Sequence, residues 1–85
     1  MRHRRPADDA LPEIFRALSD PTRLAVVERL SVAPASASEL AEPFSMALPS
    51  FMQHMAVLER AGIVTSHKSG RTRTYQLAID ALQLA

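Results

Sequence analysis

Only two glycines occur in this 85-residue sequence, Gly62 and Gly70, and both lie in its last third. Everything before Gly62 must fold without the residue that most readily takes a positive φ, and the pattern there is helical. After it the period changes. Ile63 to Leu77, "IVTSHKSGRTRTYQL", is rich in β-branched residues and carries "KSGR" at its middle. Two strands joined at that turn make a hairpin. Gly62 itself follows Ala61, where a helix end favours a left-handed residue. The spacing therefore predicts a helical body that gives way, at one place, to a β-hairpin.

Within the body, prolines and caps set the boundaries. Leu11, Ile14, Phe15 and Leu18 recur at i, i+3, i+4 and i+7, which predicts a first helix from about Asp8 to Leu18. "SDPTR" interrupts and restarts it: Asp20 can cap, and Pro21 suits the first helical position. A second helix over 21–30 places Leu24, Val27 and Leu30 on one side. "SVAPASA" reads as a loop, since Pro34 bars continuation. Ser36 and Glu39 have the spacing of a capping box, which opens a short third helix with Leu40 and Ala41 inward, ending before Pro43. The fourth helix is "LPSFMQHMAVLERAGI". Leu48, Phe51, Met55 and Leu58 fall within one arc of it and predict its core face.

The fold class is thus mainly α with a small β-hairpin, in the order helix, helix, helix, helix, hairpin, with a short C-terminal tail. A short helix, a tight turn and a longer helix form a helix-turn-helix, whose second helix can enter the major groove of DNA. A hairpin following it, with a basic tip, is a wing. The length suits one domain spanning 1–85, with 1–7 a flexible basic tail carrying Arg2, Arg4 and Arg5. Charge is segregated: Asp8, Asp9, Glu13, Asp20, Glu28, Glu39 and Glu42 crowd the first half, while Arg60, Lys68, Arg71 and Arg73 meet no acid between 60 and 79.

Several function classes are disfavoured. The sequence has no cysteine, so disulfides, thiolate metal sites and cysteine nucleophiles are excluded. His3, His54 and His67 stand at no motif spacing from a serine or carboxylate, so no catalytic residue is expected and the chain is read as no enzyme. No metal ligand set and no cofactor site is expected. No apolar run nears the ~18 residues of a membrane span, which predicts a cytoplasmic protein with no membrane partner.

The polar face of the fourth helix points elsewhere. Ser50, Gln53, His54 and Val57 lie across from the core arc, and the charges of an ordinary solvent face appear only at Glu59 and Arg60. Gln can bond bidentately to adenine and Ser to either partner of a pair. This predicts base or phosphate contact by Ser50 and Gln53, with His54 either on a phosphate or packed at the helix edge. Lys68, Arg71 and Arg73 on the wing are expected on the backbone or in the minor groove. No capping side chain precedes this helix. Leu48 is read as its N-cap and Pro49 as its first residue, leaving the N–H groups of Ser50 and Phe51 to a DNA phosphate.

Three segments carry a family resemblance: "ALSDPTRLAVVERL", "ASELAEPFSMALPSFMQHMAVLERAGIV" and "SGRTRTYQL". Together, from about Phe15 to Leu77, they resemble the ArsR family of winged helix-turn-helix transcriptional regulators. The resemblance implies a dimeric repressor that grips or releases operator DNA in response to metals or other signals. Metal-sensing members use cysteines on the helix-turn-helix, or aspartate and histidines on a terminal helix. Without cysteine, and with five residues after Asp80, this sequence is expected to lack those sites and most of the C-terminal dimerisation helix. Leu11, Ile14, Phe15 and Leu18 are then the expected homodimer interface, and a near-palindromic DNA duplex the partner. A winged helix that binds an acidic protein instead of DNA is the alternative.

Overall fold

The computed structural model describes residues 13–78. Helix α1 occupies 13–18 of these. It is followed by α2 (Pro21–Leu30), β1 (Ala35–Ser36), α3 (Ala37–Ala41), α4 (Leu48–Arg60), β2 (Val64–Ser69) and β3 (Thr72–Leu77). The start of the first helix at Asp8, Leu11, the basic segment 1–7 and the tail after Asp80 lie outside the described residues.

Local chemistry sets most boundaries. Asp20 caps α2, its carboxylate accepting from the N–H groups of Thr22 and Arg23. At α3 both halves of the capping box form: Glu39 N–H donates to the Ser36 hydroxyl, and Ser36 N–H to the Glu39 carboxylate. At the end of α4, Gly62 takes φ 77°. Its N–H donates to the Glu59 carbonyl and that of Ile63 to the Leu58 carbonyl, the pair of bonds that defines a Schellman motif. Leu58 and Ile63 are both fully buried against the core. The wing closes on the two-residue turn Gly70–Arg71, with Ser69 opposite Thr72. Gly70 at φ 62° is followed by an arginine without positive φ, the requirement of a type II′ hairpin turn.

The sheet has the order β1-β3-β2, antiparallel throughout. Its first strand corrects the expectation of a loop over "SVAPASA". Ala35 pairs with Tyr75 and Ser36 with Thr74. Two residues carry no periodicity, so only the tertiary pairing reveals the strand. Ser36 thereby ends a strand and caps a helix, tying α3 to the base of the wing.

Ala17, Val26, Leu30, Leu40, Phe51, Met55, Leu58, Ile63, Val64 and Tyr75 form the core with Ala35. Phe44, in the turn before α4, stacks at 5.6 Å on Phe51 and pins that turn. Two inward assignments are corrected. Leu24 is 44% exposed, and Val26 takes the central place in α2; Leu24 lies about 120° around the helix from Leu30. Leu48 is 56% exposed. Its angle groups it with Phe51, but it sits in the first turn of α4, beyond the packed layer.

Candidate nucleic-acid interface

Helix α4 begins one residue earlier than its sequence suggests. Ala47, with extended backbone, is the N-cap, Leu48 the first helical residue and Pro49 the second. No side chain caps this end. The Ala47 carbonyl accepts from Phe51 N–H at 3.0 Å, so Phe51 is not among the free donors, as its sequence position had suggested. Leu48 and Ser50 fill the positions whose N–H groups have no acceptor within a helix, and proline removes one donor between them.

Pro49, Ser50 and Gln53 are exposed, while Phe51, Met55 and Leu58 turn wholly inward. The amphipathic division of α4 is therefore the expected one beyond its first turn. His54 lies at the edge of that division and is 24% exposed. Its Nδ1 is 2.9 Å from Arg23 Nη1 and 3.7 Å from Asp20 Oδ2. Arginine only donates, so this bond makes Nδ1 the acceptor and leaves the ring proton on Nε2. Burial acts to raise the Asp20 carboxyl. The N–H groups of Arg23 and Thr22 and the Arg23 guanidinium are among the groups that outweigh it, holding Asp20 below the ordinary carboxylate value.

On the wing, Val64, Ser66, Lys68, Arg73, Tyr75 and Leu77 share one face by register. Its base is buried at Val64 and Tyr75, and its tip is exposed at Lys68 and Arg73. Arg73 Nη1 donates to the Ser66 hydroxyl at 2.8 Å, and that hydroxyl donates to Glu59 Oε2 at 3.0 Å. A polar relay thus joins the wing to the last turn of α4. Arg71 occupies the tip itself and is exposed.

Of the residues expected at a subunit interface, Phe15 is 62% exposed, whereas Ile14 and Leu18 pack partly buried on the core. Sequence reasoning missed Arg23, Ser66 and Glu59 as parts of this region. The capping role of Asp20 was legible, but nothing local announces a partner 31 residues away. A cavity of about 230 Å³ between α2 and α3, lined by Val26, Leu40 and Phe44 among others, contains none of the predicted DNA-contacting residues. Among the described residues no cluster of three or more His, Asp or Glu could hold a metal ion, and no helix is long and apolar enough to cross a membrane.

Known proteins share this arrangement. A helix-turn-helix domain family matches residues 18–67. The transcriptional repressor SdpR of Bacillus subtilis (strain 168) is 33% identical over 70 residues, covering 82% of this chain and 78% of that protein. The HTH-type transcriptional repressor SmtB of Mycobacterium tuberculosis (strain H37Rv) is 39% identical over 70 residues, and the match spans about half of its length, 52%, and 82% of this chain. The crystal structure of an ArsR family transcriptional regulator superposes with a TM-score of 0.83 at 53% identity, over 86% of this chain and 80% of that one. Regulators of this kind bind DNA and are not enzymes. With its four-helix body, its wing and these relatives, the chain belongs to the ArsR family of winged helix-turn-helix transcriptional regulators.

Proposed function

We propose that the protein is a repressor that binds a near-palindromic operator as a homodimer, with α4 in the major groove and the wing on the backbone or in the minor groove. The observation that carries this reading is the exposed face of α4. Its first two turns present Pro49, Ser50 and Gln53, with no lysine or glutamate before Glu59. Gln53 is the base reader and Ser50 a base or phosphate contact. His54 offers its Nε2 proton to a phosphate while Nδ1 is held by Arg23. Lys68, Arg71 and Arg73 supply cations to the backbone, which carries most of the affinity but little sequence information.

The uncapped N-terminus fits the same reading. Free N–H groups at the positive end of a helix dipole are matched to an anion, and a DNA phosphate takes the place of the missing cap at Ala47. Two copies would set their recognition helices about 34–36 Å apart, one helical turn of DNA. Phe15, apolar and 62% exposed on α1, supports subunit contact there; Leu11, Ile14 and Leu18 are the other residues proposed for it, with Ile14 and Leu18 also packed partly on the core. The names of the relatives, repressors in Bacillus and Mycobacterium, support repression rather than activation.

Selection of bound duplexes from a random pool tests the whole proposal. Two inverted half-sites about 10–10.5 base pairs apart are expected. Enrichment of a single unrepeated site would contradict the dimer, and no enrichment at all would contradict sequence reading.

A further inference from the structure

Helices α1, α2 and α4 meet at one guanidinium. Arg23, near the start of α2, directs its donors two ways. Nε donates to the Ala17 carbonyl at 2.7 Å and Nη2 to the Arg16 carbonyl at 3.2 Å. These carbonyls lie in the last turn of α1, where the helix itself supplies no N–H donors, although Ser19 also donates to the Arg16 carbonyl. Nη1 donates across to Nδ1 of His54 at 2.9 Å, in the middle of α4. Asp20 sits beneath both, accepting the backbone N–H of Arg23 at 3.1 Å and lying 3.7 Å from the same imidazole nitrogen.

We propose that Arg23 is a positioning residue for the recognition helix, clamping His54 to the end of α1 and so fixing the direction in which Gln53 faces DNA. The inference rests on the reading of α4 as the DNA-contacting helix. Its other attachments to the body are the buried Phe51, Met55 and Leu58, the partly buried Met52 and Val57, and the Glu59–Ser66 bond at its far end, and apolar burial is non-directional. Burial holds the helix against the core, and the Glu59 bond ties only its last turn. A hydrogen bond to His54, next to Gln53, adds a directional tie in the middle of α4, because a small turn of the helix about its axis breaks it.

Arginine is suited to this and lysine is not. The planar fork spans two carbonyls and an imidazole at once, whereas an ammonium is one point donor group on a flexible stem. The clamp also gives α1 a direct hold on α4. Phe15 lies one residue before the Arg16 carbonyl that Arg23 grips, so a second subunit seated on α1 would act on the orientation of α4 through this side chain.

The test uses the full chain, the duplex that wild type enriches from a random pool, and a scrambled duplex of equal length. Arg23→Ala and Arg23→Lys should each lower the ratio of enriched to scrambled affinity by roughly five- to hundredfold, the discrimination of one base-reading pair. Scrambled-duplex affinity and the salt slope should stay as in wild type. His54→Asn, whose side-chain oxygen can accept in place of Nδ1 but which gives up the proposed Nε2 phosphate contact, should weaken both duplexes alike and so lower the ratio by no more than about twofold, while His54→Ala should lower the ratio as Arg23→Ala does. Independently of DNA, the ring ¹⁵N spectrum of wild type should show His54 with Nδ1 unprotonated and Nε2 carrying hydrogen, and Arg23→Lys should lose that preference.

Equal loss of affinity for both duplexes with a flatter salt slope would make Arg23 a phosphate contact and overturn the proposal. So would an unchanged ratio in Arg23→Ala. A wild-type spectrum with hydrogen on Nδ1 would remove the clamp alone. Failure of wild type to enrich any duplex would instead remove the reading of α4 on which the clamp's role depends.

Discussion

Lys68 and Arg73 stand directly opposite each other across β2 and β3, two cations on neighbouring strands near the tip of the wing. Like charges in that position destabilise a hairpin. Arg73 finds relief by turning to the Ser66 hydroxyl, which in turn meets Glu59. Lys68 has no such arrangement among the hydrogen bonds of the described residues. Under the proposed function the pair is a site for a DNA phosphate. Lys68→Thr should therefore raise the unfolding free energy of the free protein by about 0.2–1 kcal/mol. It should also weaken binding to every duplex and reduce the salt slope by about one. Urea unfolding and a salt titration check the two halves.

The start of α4 yields a second trade between stability and binding. Ala47→Ser supplies the capping oxygen that the helix lacks, and should stabilise the free protein by about 0.5–2 kcal/mol. If a phosphate serves as the cap in the complex, the serine competes with it, and DNA affinity should fall although the fold is firmer. A serine that stabilises the protein and leaves affinity unchanged would place the phosphate elsewhere.

Packing separates two residues that share an angle on α4. Phe51 is fully buried and stacks on Phe44, while Leu48 is 56% exposed. Phe51→Ala should cost about 3–5 kcal/mol, enough to unfold a marginal domain. Leu48→Ala should stay within about 0.5 kcal/mol of wild type. Thermal or urea unfolding of the two variants decides the point.

Acid should act partly through Asp20. Its folded-state carboxyl lies below the ordinary value of 3.8. A lowered carboxylate contributes stability that is present above 3.8 and lost as pH falls through the lower folded value. Asp20→Asn keeps a capping oxygen but has nothing to titrate, so its stability should fall less steeply with acid than that of wild type. Parallel pH profiles would mean that other carboxyls carry the acid sensitivity.

How much of this was legible in the sequence follows the range of the interaction. The limits of α2, the capping box at Ser36 and Glu39, the end of α4 at Gly62 and the wing turn at Gly70 all depend on residues within a few positions of one another, and each formed as its pattern suggests. The recognisable order of these signals made the family readable too. What escaped was long-range. The strand at Ala35 exists only because Tyr75 pairs with it. Leu48 and Leu24 have the right spacing for a core but lie off the packed layer. Arg23 and His54 meet through the tertiary fold alone, and no spacing rule connects them.

The most direct test of the account is a salt titration of DNA binding by the full chain, followed by fluorescence anisotropy between about 50 and 200 mM salt. It compares the enriched duplex with a scrambled one, for wild type, Gln53→Ala and Arg71→Ala. Wild type should lose affinity steeply with salt and keep its preference for the enriched duplex throughout. Arg71→Ala should reduce the slope by about one and weaken both duplexes. Gln53→Ala should leave the slope intact and give up about 1–3 kcal/mol of preference. No binding to either duplex at low salt, or two variants that behave alike, would contradict a protein that reads bases with α4 and grips phosphates with its wing.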